Sequence, residues 1–90
     1  MPRYLVEAYC AQEADGAARA ARLGLAHGPD SVRFLRSLFV PEDQICFHLI
    51  DAPSIVAATR AIDRAEIANA RIVEAVEWET TNPSSGGNQQ

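Results

Sequence analysis

Four side chains with acid, base or hydrogen-bonding chemistry lie in otherwise apolar segments of this chain: Glu7, Tyr9, His48 and Glu74. An imidazole beside a carboxylate stays titratable near neutral pH, and a phenol can donate a hydrogen bond to a bound molecule. The set predicts a pocket for a small polar ligand. His48 with the carboxylates of Glu7 and Glu74 predicts, as an alternative, a weak divalent metal site. A purely structural role in a core or an interface is the third interpretation.

Strand alternation decides whether these side chains meet, because every second residue of a strand points to the same face. We expect Glu7 and Tyr9 on the sheet face away from the helices, since burying a charge is costly. Phe47 and Leu49 are expected to pack against the helices. Glu74 is placed by the same reasoning as Glu7. The side chains predicted to share the face away from the helices are Glu7, Tyr9, Cys46, His48, Ile50, Ile72, Glu74, Val76 and Trp78.

The elements that position these residues follow from the apolar periodicity, which predicts the order β-α-β-β-α-β in one domain over residues 1–79. The predicted strands cover 3–10, 31–40, 45–51 and 70–79; the predicted helices cover 12–26 and a segment that begins after Ser54. Right-handed crossovers around a central hairpin give an α+β, ferredoxin-like sandwich. Its antiparallel sheet has the first and third strands at the centre, and both helices cover one face. Residues 80–90 are predicted to be a disordered tail.

Both helices show an apolar stripe. The residues predicted to be buried are Ala14, Ala18, Ala21 and Leu25 in the first helix and Ile55, Ala58, Ile62 and Ala65 in the second. Gly16 and Gly24 weaken the first helix, at about 1 kcal/mol each relative to alanine.

Composition argues for a partner of the same kind. The chain has 90 residues and 48% of them are apolar, although a domain of this size buries only about 60% of its unfolded surface. A homodimer that covers the bare sheet face, as in a dimeric α+β barrel, is therefore expected.

Charge and targeting signals exclude other classes of partner. The net charge is −4, and the eight basic residues are scattered arginines that form no basic stripe, so neither nucleic acid nor an anionic membrane is expected as a partner. The N-terminal segment lacks the apolar core of a signal peptide, which predicts a cytoplasmic location.

Three further residue types have less specific signals. Cys10 and Cys46 fit no metal-binding spacing and are expected to be free thiols in or near the core. His27 suits the C-terminal end of the first helix as a cap. Arg36 is a possible anion contact. A four-residue hairpin loop pairs position 38 with position 47 and sends Arg36 to the helix side, whereas a bulge would reverse its face.

Segments 1–7, 32–37, 47–53 and 70–76 together resemble a family of small proteins known as domain of unknown function 4242. The resemblance covers nearly all of residues 1–79. It implies a ferredoxin-like fold, a dimer and, because some members bind nickel, a possible nickel role. Those members are rich in histidine on the second helix and in the loop after it. This chain has Thr59 and Ile62 on that helix, and its two histidines are His27 and His48.

Three functions from different classes follow. The first is a small dimeric domain that binds a small ligand in a pocket on the sheet face. The second is a nickel-binding or other divalent metal-binding protein, as the resemblance implies. The third is a small cofactor-independent enzyme of the oxygenase or isomerase type that uses His48 with Glu7.

Overall fold

The computed structural model describes residues 1–25 and 31–78. It contains β1 (Arg3–Tyr9), α1 (Glu13–Leu25), β2 (Arg33–Val40), β3 (Ile45–Asp51), α2 (Ile55–Arg64) and β4 (Arg71–Ala75). The predicted order β-α-β-β-α-β is confirmed, and each element lies within a few residues of its predicted bounds. The predicted cap His27 and the predicted tail 80–90 lie outside the described residues.

The four strands form one antiparallel sheet in the order β2-β3-β1-β4, as the ferredoxin-like topology requires. β1 pairs with β3 so that Val6 lies opposite His48, and with β4 so that Val6 lies opposite Ile72. The ladder extends past β1, since the amide of Ala52 donates to the carbonyl oxygen of Pro2 at 3.0 Å.

Both helices pack on the same face of this sheet. The buried residues that form this core come from β1, β3, both helices and the loops beside them: Tyr4, Val6, Ala8, Leu23, Val32, Ile50, Ala52, Ala57, Ala58, Ala61, Ile62, Ala65 and Ile67. The ends of the helices are joined by Arg22 of α1, whose Nε donates to the carbonyl oxygen of Ala65 at 2.6 Å. This arrangement leaves the opposite sheet face without a cover from the described residues.

The hairpin between β2 and β3 has the register of the four-residue loop, one of the two alternatives that the sequence left open, with Leu38 opposite Phe47. Its turn is closed by a bond from the amide of Gln44 to the carbonyl oxygen of Pro41 at 3.3 Å, and Gln44 has a left-handed backbone with φ 53°. A register shift lies between Phe34 and Arg36, upstream of the predicted pair.

The helix stripes were predicted with mixed success. In α2 the buried residues include the predicted Ala58, Ile62 and Ala65, but Ile55 is exposed. The N-cap at Ser54 is confirmed, because its Oγ accepts the amide of Ala57 at 3.1 Å.

The stripe predicted for α1 was wrong. Ala14, Ala18 and Ala21 are exposed, and the helix turns Gly16 and Leu23 toward the sheet instead. A run of alanines carries little hydrophobic preference for one face, so the larger Leu23 and the close approach at Gly16 set the rotation of the helix.

No helix in residues 1–25 and 31–78 is long and apolar enough to cross a membrane.

Replacing Gly16 with alanine should destabilise the fold, by about 1–3 kcal/mol. The added Cβ would lie 2.5 Å from the Sγ of Cys46, so the helix or the thiol must shift. Gly24→Ala is the matched control. There the nearest atom, Cδ2 of Phe34, is 3.9 Å away, so alanine should raise helix stability by up to about 1 kcal/mol. Urea unfolding of both variants measures this, and equal effects of the same sign would contradict the packing at Gly16.

Candidate functional site

The pairing of β1 with β3 places His48 beneath the helices. His48 lies opposite the buried Val6, whereas Phe47 lies opposite Glu7 on the uncovered side. The predicted faces of β3 were therefore wrong: Cys46, His48 and Ile50 are buried under the helices, and Phe47 and Leu49 lie on the other face. The error arose because both alternating sets of β3 contain apolar side chains, and the larger ones, Phe47 and Leu49, were assigned to the helix side.

The predicted faces of β4 were also wrong. Glu74 lies opposite the buried Tyr4 and Ile72 opposite Val6, so both point to the helix side. Glu74 avoids the cost of burial because β4 is an edge strand and this side chain remains exposed. The strand ends at Ala75, and Val76 and Trp78 beyond it are exposed.

The predicted group of Glu7, Tyr9, His48 and Glu74 therefore does not form. Glu7 and Tyr9 lie on one face of the sheet, His48 and Glu74 on the other, and β1 separates the strands of His48 and Glu74. The acid-base pair of His48 with Glu7 is excluded by the same geometry.

The implied nickel role does not fit these donors. The trio of His48, Glu7 and Glu74 is divided between two faces of the sheet. Within residues 1–25 and 31–78 no three side chains of the types His, Cys, Asp and Glu are grouped so that they can hold a metal ion.

His48 is a core residue with one hydrogen bond. Its Nδ1 and the Oγ of Ser37 on β2 are 2.5 Å apart, and its buried Nε2 has no partner among the described residues. Burial lowers the pKa of His48 to about 4, and the positive charge of Arg19 acts in the same direction. The imidazole is therefore neutral at physiological pH and does not serve as the cationic group that the sequence predicted.

Cys10 and Cys46 are free, buried thiols, as predicted, and Cys46 lies on the same side of β3 as His48. Burial raises the pKa of Cys46 to about 11, and a hydrogen bond to the Cys10 side chain adds to the effect. A groove of about 230 Å³ between α1 and β2 leads to Cys46. The residues that line it are Glu13, Gly16, Ala17, Ala20, Ser37, Leu38, Phe39 and Cys46.

The face away from the helices, here called the open face, carries a second groove, of about 380 Å³. Its floor is apolar and comes from the three neighbouring strands β1, β3 and β2. The lining residues are Leu5, Arg36, Leu38, Phe47, Leu49 and Glu77. Leu5, Phe47 and Leu49 are only partly buried by the chain itself, so apolar surface here is available to a ligand or a partner.

A network of ion pairs lies at one end of this groove. Arg3 binds both carboxylate oxygens of Asp51, at 2.8 and 3.2 Å, and also contacts Glu77. Glu77 accepts a second bond from Nη2 of Arg36 at 2.7 Å. The Arg3 guanidinium lowers the pKa of Asp51, whose hydrogen bond in turn raises the pKa of Arg3. Glu77 thereby ties the segment after β4 across the open face to β2.

The other end carries Glu7 and Tyr9. Glu7 pairs with Arg71 of the same chain at 3.2 Å, and Tyr9 is exposed. These two predicted site residues lie on the open face as expected but do not line the groove.

Sequence reasoning missed most of the groove. The alternation of Ile45, Phe47 and Leu49 was the available signal, because large apolar residues at every second position indicate one continuous surface. The sequence left the face of Arg36 open between the helix side, for a four-residue loop, and the opposite side, for a bulge; Arg36 lies on the open face because its partner Leu49 does. No feature of the sequence predicts the ion pair between Arg3 and Glu77.

The chain has the ferredoxin-like α+β fold, and a solved structure supports this class. The chain is similar to the crystal structure of SCO4226 from Streptomyces coelicolor A3(2), with a TM-score of 0.69 and 21% identity over 86% of this chain and 99% of that one. At this identity the likeness shows the fold alone. No model of a known protein family matches the chain, and no curated protein matches it. The resemblance to domain of unknown function 4242 thus stays a prediction.

The buried His48 should make the fold sensitive to acid. Unfolded, the imidazole takes up a proton near its ordinary pKa of 6.5, whereas the folded chain keeps it neutral down to about 4. The unfolded state therefore binds more protons between these values, and the free energy of unfolding falls as the pH drops through them. The loss reaches on the order of 3 kcal/mol near the lower value.

Urea unfolding of the wild type and of His48→Gln, at neutral pH and in acid, measures this loss. The variant should show a shallower pH dependence, while contributions from carboxylates such as Asp51 are common to both proteins. Identical slopes would contradict a neutral, desolvated His48.

Proposed function

We propose that this chain works as a homodimer that binds a small amphipathic molecule on its open face. The observation that carries the proposal is the open-face groove, with an apolar floor of Leu5, Phe47 and Leu49 and a charged wall of Arg36 and Glu77. Sites for small molecules combine these two features, since the apolar lining supplies affinity and a few polar groups fix orientation.

A second copy of the chain is the partner that fits the open face. Partly exposed Leu5, Phe47 and Leu49 adjoin the more exposed Leu38, and apolar patches of this kind mark interaction sites. A two-fold interface brings the same patch of the two copies together, so an excess of unpaired like charge on that patch would repel.

On this face the charges near the apolar centre are paired within the chain. Asp51 binds Arg3, Glu77 bridges Arg3 and Arg36, and Glu7 binds Arg71. The face is consequently compatible with meeting its own copy, and two such faces would enclose the groove.

The ligand class follows from the wall of the groove. Arg36 is 59% exposed at its side chain and, within residues 1–25 and 31–78, is held by one carboxylate, that of Glu77. An incoming anionic group can bind the outward side of this guanidinium, because its fork offers several donors. The proposed ligand is therefore a small molecule with an apolar body and one anionic group.

A cytoplasmic location and membership of domain of unknown function 4242 complete the proposal. Buried, unpaired thiols at Cys10 and Cys46 support a reducing compartment. The ferredoxin-like topology supports the family.

Leu38→Glu should weaken the dimer, whereas Val56→Glu should not. Both residues are apolar and exposed, at 63% and 54%, so neither change should unfold the monomer. Leu38 lies on the open face and Val56 on α2. The expected loss is at least about tenfold in dimerisation affinity, because a charge would be buried in an apolar interface. Light scattering after size exclusion measures it. A monomeric wild type at micromolar concentration, or equal effects of the two variants, would overturn the dimer.

Arg36→Gln should weaken binding of 1-anilinonaphthalene-8-sulfonate, a probe with an apolar body and one sulfonate, by about tenfold. Arg71→Gln is the matched control, because Arg71 is also exposed, also paired with a glutamate and also on the open face, but does not line the groove. The neutral dye Nile red should bind all three proteins alike. Equal loss of sulfonate binding in both variants would contradict the role of Arg36.

A further inference from the structure

The two thiols of the chain lie against each other beneath α1. A Cβ placed on Gly16 would be 2.5 Å from the Sγ of Cys46 and 3.4 Å from the Sγ of Cys10, so the two sulfurs are no farther apart than the sum of these distances. The Cys46 side chain hydrogen-bonds that of Cys10, whose Sγ is 3.0 Å from the carbonyl oxygen of Gln12. Both residues are 1% exposed.

A groove on the helix side of the sheet reaches one of the two thiols. The groove between α1 and β2 is lined by Gly16 and Cys46, and at Gly16 the helix has no side chain over the sulfurs. Metal–thiolate bonds are about 2.3 Å long. In a linear unit the two sulfurs lie about 4.6 Å apart, so the two thiols, which contact each other when protonated, must separate as the ion enters.

The number of protein ligands near the two thiols determines which metal ion they can bind. Among the described residues no group of three His, Cys, Asp or Glu side chains is arranged to hold a metal, so the pair has no third protein ligand of these types. Zn²⁺ requires four ligands in a structural site. Thiolates are soft ligands that select Cu(I), an ion that is stable with two sulfurs in a nearly linear arrangement.

We propose that Cys10 and Cys46 bind one Cu(I) ion per chain as a two-coordinate pair of thiolates. Each S–H bond is replaced by an S–Cu bond, two protons are released to solvent, and neither copper nor sulfur changes oxidation state. This site lies on the helix side of the sheet and is independent of the ligand proposed for the open face.

Nearby charges act on this state in opposite directions, and burial disfavours the free thiolates. The bound unit of one Cu(I) and two thiolates carries one negative charge, and Arg19 of α1 stabilises the charged form of Cys46. Arg19 is fixed in place because its Nη1 donates to the carbonyl oxygen of Tyr9 at 2.6 Å. Asp15 acts in the opposite direction.

The test is a competition for Cu(I) between the reduced full chain and the chelator bathocuproine disulfonate under anaerobic conditions. One equivalent per chain should bind, and Cys10→Ser and Cys46→Ser should each abolish it. Because two protons leave, the affinity should rise about a hundredfold per pH unit in the neutral range. Ni²⁺ and Zn²⁺ at the same concentration should not bind to the pair. Arg19→Gln, which keeps both thiols, should weaken Cu(I) binding about tenfold.

X-ray absorption at the copper edge tests the site in the wild type, whether or not the serine variants fold. Two sulfur neighbours and no nitrogen neighbour are expected. A third ligand, one copper per two chains, uptake that survives Cys46→Ser, or no uptake at all would each overturn the proposal.

Discussion

The pairing of Val6 with His48 decides which side chains of the sheet lie beneath the helices. Because successive residues of a strand point to opposite faces, this one register assigns every position of β1 and β3 at once, and a slip of one residue would exchange the two faces. It sends the imidazole and both thiols into the covered layer. It also leaves Phe47 and Leu49 on the open face, where no described element of the chain covers them.

The layer between the sheet and the helices consequently contains polar and reactive side chains as well as apolar ones. It buries His48 with a single hydrogen bond, to Ser37, and keeps a buried Nε2 without a partner, which costs stability that only the surrounding apolar packing offsets. α1 approaches the sheet closely enough at Gly16 to touch the sulfur of Cys46. Burial in this layer keeps the imidazole neutral and the Cys46 thiol protonated.

The fold was predictable from the sequence, whereas the site was not. The turn at residues 41–44 and the cap at Ser54 have local causes, so the element order and the hairpin pairing of Leu38 with Phe47 follow from residues close in sequence. Neighbouring residues do not determine which side chains of β3 face the helices, because both alternating sets of the strand contain apolar side chains. The prediction that Phe47 and Leu49 face the helices assumed that large apolar side chains of the sheet lie on the helix side alone. The groove on the open face depends on that assignment, and on Glu77 reaching Arg3 from the far end of the domain.

A sheet that is apolar on both faces needs two covers, and the helices supply one. The larger hydrophobic side chains of β3, Phe47 and Leu49, are on the side without helices and stay partly exposed. The ion pairs at the two ends of that side limit which surfaces can approach, because they neutralise its charge internally. The polar and reactive groups lie under α1 instead. Because the sheet separates the two layers, a molecule that contacts only the open face leaves the environment of the thiols intact.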